Sequence, residues 1–374
     1  MSLGLYVHIP FCTAICNYCN FNRGLFDAGL KERYVAALLT EIRRAADEAP
    51  ADTIYFGGGT PSLLEPSEVA AVIEACRQSW ALDRGAEVTL EANPETVTPE
   101  RLAGFRAAGV NRLSYGVQSF RDDELGRLSR LHSAGRAVEA FGMARAAGFD
   151  NISLDLMMWL PQQTVSQWIE SVEALIELGP DHASMYMLEI YPNAPLRDAM
   201  ARGRWSVAPE DDAAEMYLSG LDRMDEAGYV QYEISNVARP GRHSRHNLKY
   251  WTDGEWLGFG CGAHSTRAGT RWKNVSAVED YVRSVAAGGP IVTERRPLSA
   301  EQQLEEALFT GLRLNAGLDL RAVKDRYDVD VWSRYGGELQ PFVDQGVLSH
   351  DGRVLRLPRA GMLLAHEIMA VFIG

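Results

Sequence analysis

Residues 6–21 read YVHIPFCTAICNYCNF. The stretch opens as a strand-like run, Tyr6 to Ile9, and breaks at Pro10 into a loop holding Cys12, Cys16 and Cys19. A strand that runs straight into a loop of metal-ligand side chains puts them at its carboxyl end. Parallel α/β sheets and barrels carry their chemistry at that end. What lies downstream therefore decides whether this is the first strand of such a sheet.

Working outward, strand-like runs recur at LYVHI, TIYFGG, EVTLEAN, RLSYGVQ, ISLDLMM and ASMYMLEI. Between them lie stretches with apolar residues at helical spacing: LKERYVAALLTEIRRAADE, PSEVAAVIEACRQSW, PERLAGFRAAG and AGRAVEAFGMARAAG. Helix stops are expected near Gly109 and Gly148. The strands are nearly continuous apolar runs, as strands buried on both faces should be. Repeated strand–helix units imply a parallel sheet, wound open or curled toward a barrel. From about residue 292 the pattern changes. A helix opened by Ser299, two more at LRAVKDRY and ELQPFVDQG, a hairpin about Asp351–Gly352 and a last helix GMLLAHEIMAVFI form a small winged-helix-like α+β unit. The expected division is 1–235 for the sheet, 236–291 as a connecting segment with its own motif, and 292–374 for the C-terminal unit.

The chain has 374 residues, 46% hydrophobic and 23% charged, ordinary values for a globular protein. No apolar run reaches the length of a membrane span, and MSLGLYVHIP lacks the basic and apolar segments of a secretory signal. A cytoplasmic location with reduced thiols is expected. The net charge of −13 repels nucleic acid and anionic lipid, so nucleic-acid binding by the C-terminal unit is not expected.

Five cysteines, an odd number with three clustered, suit a metal or redox site better than a disulfide framework. The residues alone leave three readings of the cluster open. They could be packing cysteines, or a zinc site completed by His8, or ligands of a four-iron, four-sulfur cluster. Iron–sulfur clusters of that kind usually take four thiolates; with three, one iron keeps an open position for a ligand. Around it, GGGTP (Gly57–Pro61) ends the second strand where glycine permits close backbone approach. Glu91, Gln118 and Asp155 fall in successive strands near the same edge.

Cys12-x3-Cys16-x2-Cys19 resembles the signature of the radical SAM superfamily. YVHIPFC, FGGGTPS, EANPE, GVQSF, EISN, SRHNLKYW and GAHS extend the resemblance to its coproporphyrinogen-oxidase-like branch. The resemblance implies a partial (β/α)6 TIM-like barrel with a 4Fe-4S cluster on Cys12, Cys16 and Cys19, and S-adenosylmethionine (SAM) on the open iron. It further implies a SAM pocket of Tyr6, Tyr18, Gly58, Gly59, Thr60, Glu91, Gln118, Arg130 and Asp155. The Gly58–Thr60 loop would receive the amino group, Arg130 the carboxylate and Asp155 the ribose. Arg130 is expected in the helical region after the fourth strand. One departure stands out: the branch usually has DLMYGLP where this chain has DLMMWLP. Trp159 is expected to crowd the pocket.

Within that branch the oxygen-independent coproporphyrinogen III oxidases carry a further cysteine two residues after the third, where this chain has Phe21. They also carry a long extension before the first strand, which here begins near residue 5. The chain is most similar to the HemW heme chaperone family, which has a His-Asn-x-x-Tyr-Trp motif, here His246, Asn247, Tyr250 and Trp251. The resemblance implies heme as ligand, His246 as its axial ligand, and delivery to a heme-acceptor protein. An electron donor such as a flavodoxin or ferredoxin would serve the cluster. Arg242, His243 and Arg245 lie close in sequence, while Cys261 and Cys76 read as incidental and core. The alternative is a radical SAM enzyme, either the oxidase or a related methyltransferase. Whether the chain turns over a substrate is left open.

Overall fold

The six runs form six strands that lie side by side in chain order: Leu3–Ile9, Pro50–Gly58, Ala81–Ala92, Arg112–Gln118, Ile152–Met158 and His182–Met187. They belong to a computed structural model that describes residues 2–192 and 194–373. Every neighbouring pair among the six is parallel, because each return passes through a helical crossover. Leu5, Ile54, Leu90, Leu113 and Leu154 have no exposed surface, which explains why these strands read as unbroken apolar runs.

The crossover helices begin where side chains satisfy their free amides. Asp27 accepts from Leu30 N at the head of Ala28–Arg44, Thr98 caps Pro99–Ala108, and Ser133 caps Ala134–Ala146. Thr164 and Gln167 close a reciprocal capping box on Val165–Leu178. The expected stops hold: Gly109 and Gly148 follow their helices with φ of 107° and 86°.

The sheet does not close on itself. Trp256–Phe259 pairs parallel with the first strand, and His264–Arg267, Thr270–Asn274 and Val292–Pro297 follow it antiparallel. Beyond the sixth strand lie Asn236–Ala238 and Val230–Glu233. The segment 236–291 is thus no free connector, since it supplies strands on both sides of the six parallel ones. Its helix Arg245–Trp251 lies across the amino-terminal parts of the first strands. Glu87 accepts from the backbone N–H groups of Arg245 and His246, both at 3.1 Å.

The C-terminal unit starts after Pro297. Ser299 and Gln302 form a capping box on Ala300–Gly311, followed by Leu320–Tyr327 and Val331–Asp344. The expected hairpin pairs Ser349–His350 with Val354–Arg356 about Gly352, and Leu318–Asp319 adds a third strand. The single helix expected over 361–373 is instead two short ones, Arg359–Met362 and Ala365–Ala370. Gly361 lies so close to the Val347 carbonyl that an added Cβ would sit 1.8 Å from its oxygen, so the first turn is anchored against that loop. No described helix is long and apolar enough to cross a membrane.

Candidate functional site

The cysteine loop folds over the carboxyl ends of the strands and encloses a cavity of about 400 Å³. The loop is stitched down by backbone bonds. Gly59 N donates to Ile9 O and Thr60 N to Phe11 O, each at 2.8 Å. Phe11–Cys12 also pairs with Gly24–Leu25. Gly58 has φ of 114°, and a Cβ there would meet the His8 ring at 2.6 Å; one on Gly59 would meet Phe11 O at 2.7 Å. Only glycine lets the two loops lie this close.

Cys12, Cys16 and Cys19 are all partly exposed and all line this cavity. Thr60 Oγ1 donates toward Cys12 Sγ at 3.6 Å, and Arg130 Nη1 toward Cys16 Sγ at 3.4 Å. Burial pushes the Cys12 thiol up, while the Thr60 hydrogen bond opposes it. Among the described residues no three His, Cys, Asp or Glu side chains already surround the position of one metal ion. A four-iron cube makes a different demand, one thiolate on each of three iron atoms, and soft sulfur donors on one loop suit it. The zinc reading fails at its fourth ligand. His8 is buried, with Nε2 on the Asn22 carbonyl at 2.7 Å and Nδ1 on the Tyr6 hydroxyl at 3.0 Å. Cys76 and Cys261 are fully buried, each thiol pushed up to about 12 mainly by burial.

The same cavity gathers Tyr18, Gly58, Gly59, Thr60, Glu91, Gln118, Arg130 and Asp155. Tyr6 lies one layer below, stacked on Tyr55 with ring centroids 6.2 Å apart. Glu91 accepts from Tyr55 Oη at 2.7 Å and from Gly58 N at 3.2 Å, so it holds the glycine turn. Burial pushes its carboxyl up to about 7, with the Asp155 charge adding to the rise. Burial also raises Asp155, which accepts from Ser114 Oγ at 3.3 Å. Gln118 sits at the strand end with φ of 70°.

Arg130 is not helical. The helix Asp122–Arg127 ends before it, and Arg130 occupies the turn leading to Ala134–Ala146. That turn aims the guanidinium into the cavity, with Nη2 on Asn93 Oδ1 at 2.9 Å and on Gly116 O at 2.6 Å. Its buried Nε has no partner among the described residues. The crowding expected of Trp159 does not occur. Its backbone takes a left-handed φ of 62° and its indole Nε1 donates to Ala208 O at 2.8 Å. The ring is turned out of the cavity, Met158 is in the core, and Met157 lines the wall.

Two residues were not anticipated. Asn93 orients Arg130 and donates to Thr60 Oγ1 at 3.1 Å. Arg112, 1% exposed, lines the cavity without an ion pair among the described residues. The signal for it was a lone charge inside the apolar run NRLSYGVQ.

The His-Asn-x-x-Tyr-Trp motif divides between two places. Asn247 lines the cysteine-lined cavity. His246 is 1% exposed, with Nδ1 on Thr53 Oγ1 at 2.8 Å, Nε2 on Tyr250 Oη at 2.9 Å, and its ring stacked on Tyr55 at 5.1 Å. Burial pushes its imidazole down to about 3, and it lines neither this cavity nor the next. Tyr250 and Trp251 line a second cavity of about 390 Å³, between the antiparallel strands at the sheet edge and the helix Ala300–Gly311. Arg242 and Arg245 face Asp150 and Asp52, and His243 stacks on Tyr232 at 4.4 Å.

Comparison with known proteins agrees with this geometry. The family model of the radical SAM superfamily matches residues 6–175, and that of the HemN C-terminal domain matches 298–364. The heme chaperone HemW of Bacillus subtilis (strain 168) is 35% identical, over 99% of this chain and 98% of its own. A Bos taurus protein, radical S-adenosyl methionine domain-containing protein 1, mitochondrial, is 38% identical over 98% of this chain and 86% of its own. Among solved structures, the coproporphyrinogen III oxidase HemN of Escherichia coli superposes with a TM-score of 0.87 at 23% identity, covering 99% of this chain and 90% of that one. At that identity the likeness shows the fold.

Proposed function

Because this chain belongs to the radical SAM superfamily, in the family of the heme chaperone HemW, we propose that it binds heme together with a 4Fe-4S cluster and SAM, and passes the heme to an acceptor protein. The observation that carries the reading is the likeness to the Bacillus subtilis heme chaperone along almost the whole of both chains. Phe21 supports it. It is 63% exposed and lines the cluster cavity at the position where the resembling oxidases hold a further cysteine.

In this reading Cys12, Cys16 and Cys19 hold the cluster, which supplies an open iron for SAM. Arg130 meets the SAM carboxylate, the Gly58–Thr60 turn its amino group and Asp155 its ribose. The three thiols need a reducing compartment to stay free, which the cytoplasm provides. A one-electron donor of the flavodoxin or ferredoxin class approaches at the cavity mouth, where Phe21 and Tyr191 are exposed.

The experiment is to incubate the anaerobically reconstituted protein separately with heme and with coproporphyrinogen III. A stoichiometric heme complex that yields its heme to an apo-acceptor is expected. Decarboxylation of coproporphyrinogen III in the presence of SAM and reductant would make the chain an oxidase instead.

A further inference from the structure

A heme seat needs a free imidazole or other axial donor, aromatic surface for the macrocycle, and cations for two propionates. The histidines can be sorted by this requirement. His8, His132, His182 and His246 are buried, each with at least one ring nitrogen already hydrogen-bonded. His243 stacks on Tyr232, and His350 on Trp332 at 3.8 Å. His366 is exposed on a short terminal helix and lines neither of the two cavities described above. His264 is exposed and lines the second one, at the junction of the sheet edge and the C-terminal unit.

The surroundings of His264 fit the same requirement. Tyr250, Trp251 and Trp256 wall the cavity, with Tyr250 edge-on to Trp256 at 4.7 Å. Trp256 Nε1 donates to the His264 carbonyl at 3.1 Å, which ties the indole to the strand that carries His264. Across the strand pair, Lys273 stands directly opposite His264, and in the next row of that face Arg271 stands opposite both Thr266 and Arg296. Directly paired residues project from the same face of a sheet. Arg271 is held by Glu306 through two bonds of 2.8 Å. Lys273 and Arg296 stand on that face beside the cavity rather than in its lining, and neither has an ion pair among the described residues, although Glu294 is directly opposite Lys273.

We propose that this junction cavity is the heme seat, with His264 as axial ligand, the Tyr250–Trp256 wall against the macrocycle, and Lys273 and Arg296 receiving the propionates. The proposal rests on the heme-carrying reading above. It gives the family motif a different division of labour from the expected one. Tyr250 and Trp251 face the heme, and His246 is a positioning residue that holds the Tyr250 hydroxyl from behind. Burial and the neighbouring Lys273 and Arg271 lower the His264 imidazole, with Glu294 opposing, so it is neutral and able to ligate at neutral pH.

The test titrates hemin into the full-length, cluster-reconstituted protein and reads the heme difference spectrum. His264→Ala is expected to weaken hemin at least tenfold and to shift the Soret band. Added imidazole should restore the wild-type band, because the cavity is open to small ligands. Lys273→Glu should weaken hemin without moving the band. Retained cluster absorption in each variant shows that it is folded. His246→Ala should keep the wild-type band position. If His264→Ala keeps both affinity and band while the wild type binds hemin, or if His246→Ala abolishes the band in a folded protein, the seat is wrong although the carrier reading stands. If the wild type binds no hemin, the carrier reading falls and this seat with it.

Discussion

The guanidinium of Arg130 stands 3.4 Å from the sulfur of Cys16. One side chain thus touches a proposed cluster ligand and also lines the cavity in which SAM is proposed to lie. Arg130→Ala removes that charge from a largely desolvated site. The loss should be on the order of 2–5 kcal/mol of SAM affinity. Arg130→Lys should recover only part of it, because an ammonium cannot make the bidentate fork. Calorimetric titration of SAM into the reconstituted variants checks this; wild-type affinity in Arg130→Ala would remove the residue from the site.

Cys12→Ala, Cys16→Ala and Cys19→Ala should each abolish the visible absorption of the reconstituted cluster. Cys261→Ala should leave it intact, since that thiol is buried behind Asn22. Iron and acid-labile sulfide content measured after anaerobic reconstitution decides. Zinc in place of iron in protein purified anaerobically from iron-replete cells would overturn the assignment.

Glu91 and Glu41 both have carboxyls raised to about 7, chiefly by burial. A carboxyl raised above its unfolded value near 4.5 costs stability as pH climbs from that value through 7. The ligand-free protein should therefore lose stability over pH 4.5–7, and Glu41→Gln and Glu91→Gln should each flatten the slope. SAM affinity should run the other way. Ionised Glu91 accepts both Tyr55 Oη and Gly58 N, so the glycine turn is best held above pH 7. Urea unfolding and SAM titration across pH 5–8 test the two opposite trends, and parallel trends would contradict the role given to Glu91.

Where spacing along the chain decides, the sequence reading and the structure agree on which residues share one cavity. The cysteine loop, the glycine turn and the strand-end residues Glu91 and Gln118 fall into place because successive parallel strands bring their ends together. The sequence carries less where direction in space decides. Trp159 follows its strand with a positive φ, which turns the ring away from the pocket, and a residue type alone does not report φ. The expectation of a ligand at His246 rests on the His-Asn-x-x-Tyr-Trp motif of the family the chain resembles. The burial of His246 between Thr53 and Tyr250 depends on a helix crossing strands some 150 to 240 residues earlier in the chain. The 236–291 segment read as a connector because its strands are short and pair with distant partners.

Trp159→Gly tests the first of those points. The change relieves a left-handed backbone worth roughly 1–2 kcal/mol but removes the bond to Ala208 and a half-buried indole, a larger loss on the order of 3 kcal/mol. The unfolding midpoint should fall. SAM affinity should stay within about twofold of wild type, well under the tenfold that 1.4 kcal/mol would bring, because the ring does not line the cavity. A large change in affinity with unchanged stability would place the ring in the pocket after all.

Arg112 is the buried cation of the cavity, and its charge lowers both Glu91 and Asp155 against the rise caused by burial. Arg112→Met keeps an unbranched apolar stem of similar reach and removes only the guanidinium. Two carboxyls then share a desolvated site with no compensating charge, so both should hold their protons to higher pH. The pH at which SAM affinity reaches half its maximum should move upward, and affinity at pH 7 should fall while affinity near pH 8.5 recovers. A merely structural arginine would instead lower affinity equally at every pH. Titrations of wild type and Arg112→Met at pH 6, 7, 8 and 8.5 separate the two, and an unmoved midpoint would show that Arg112 does not set the ionisation of the cavity.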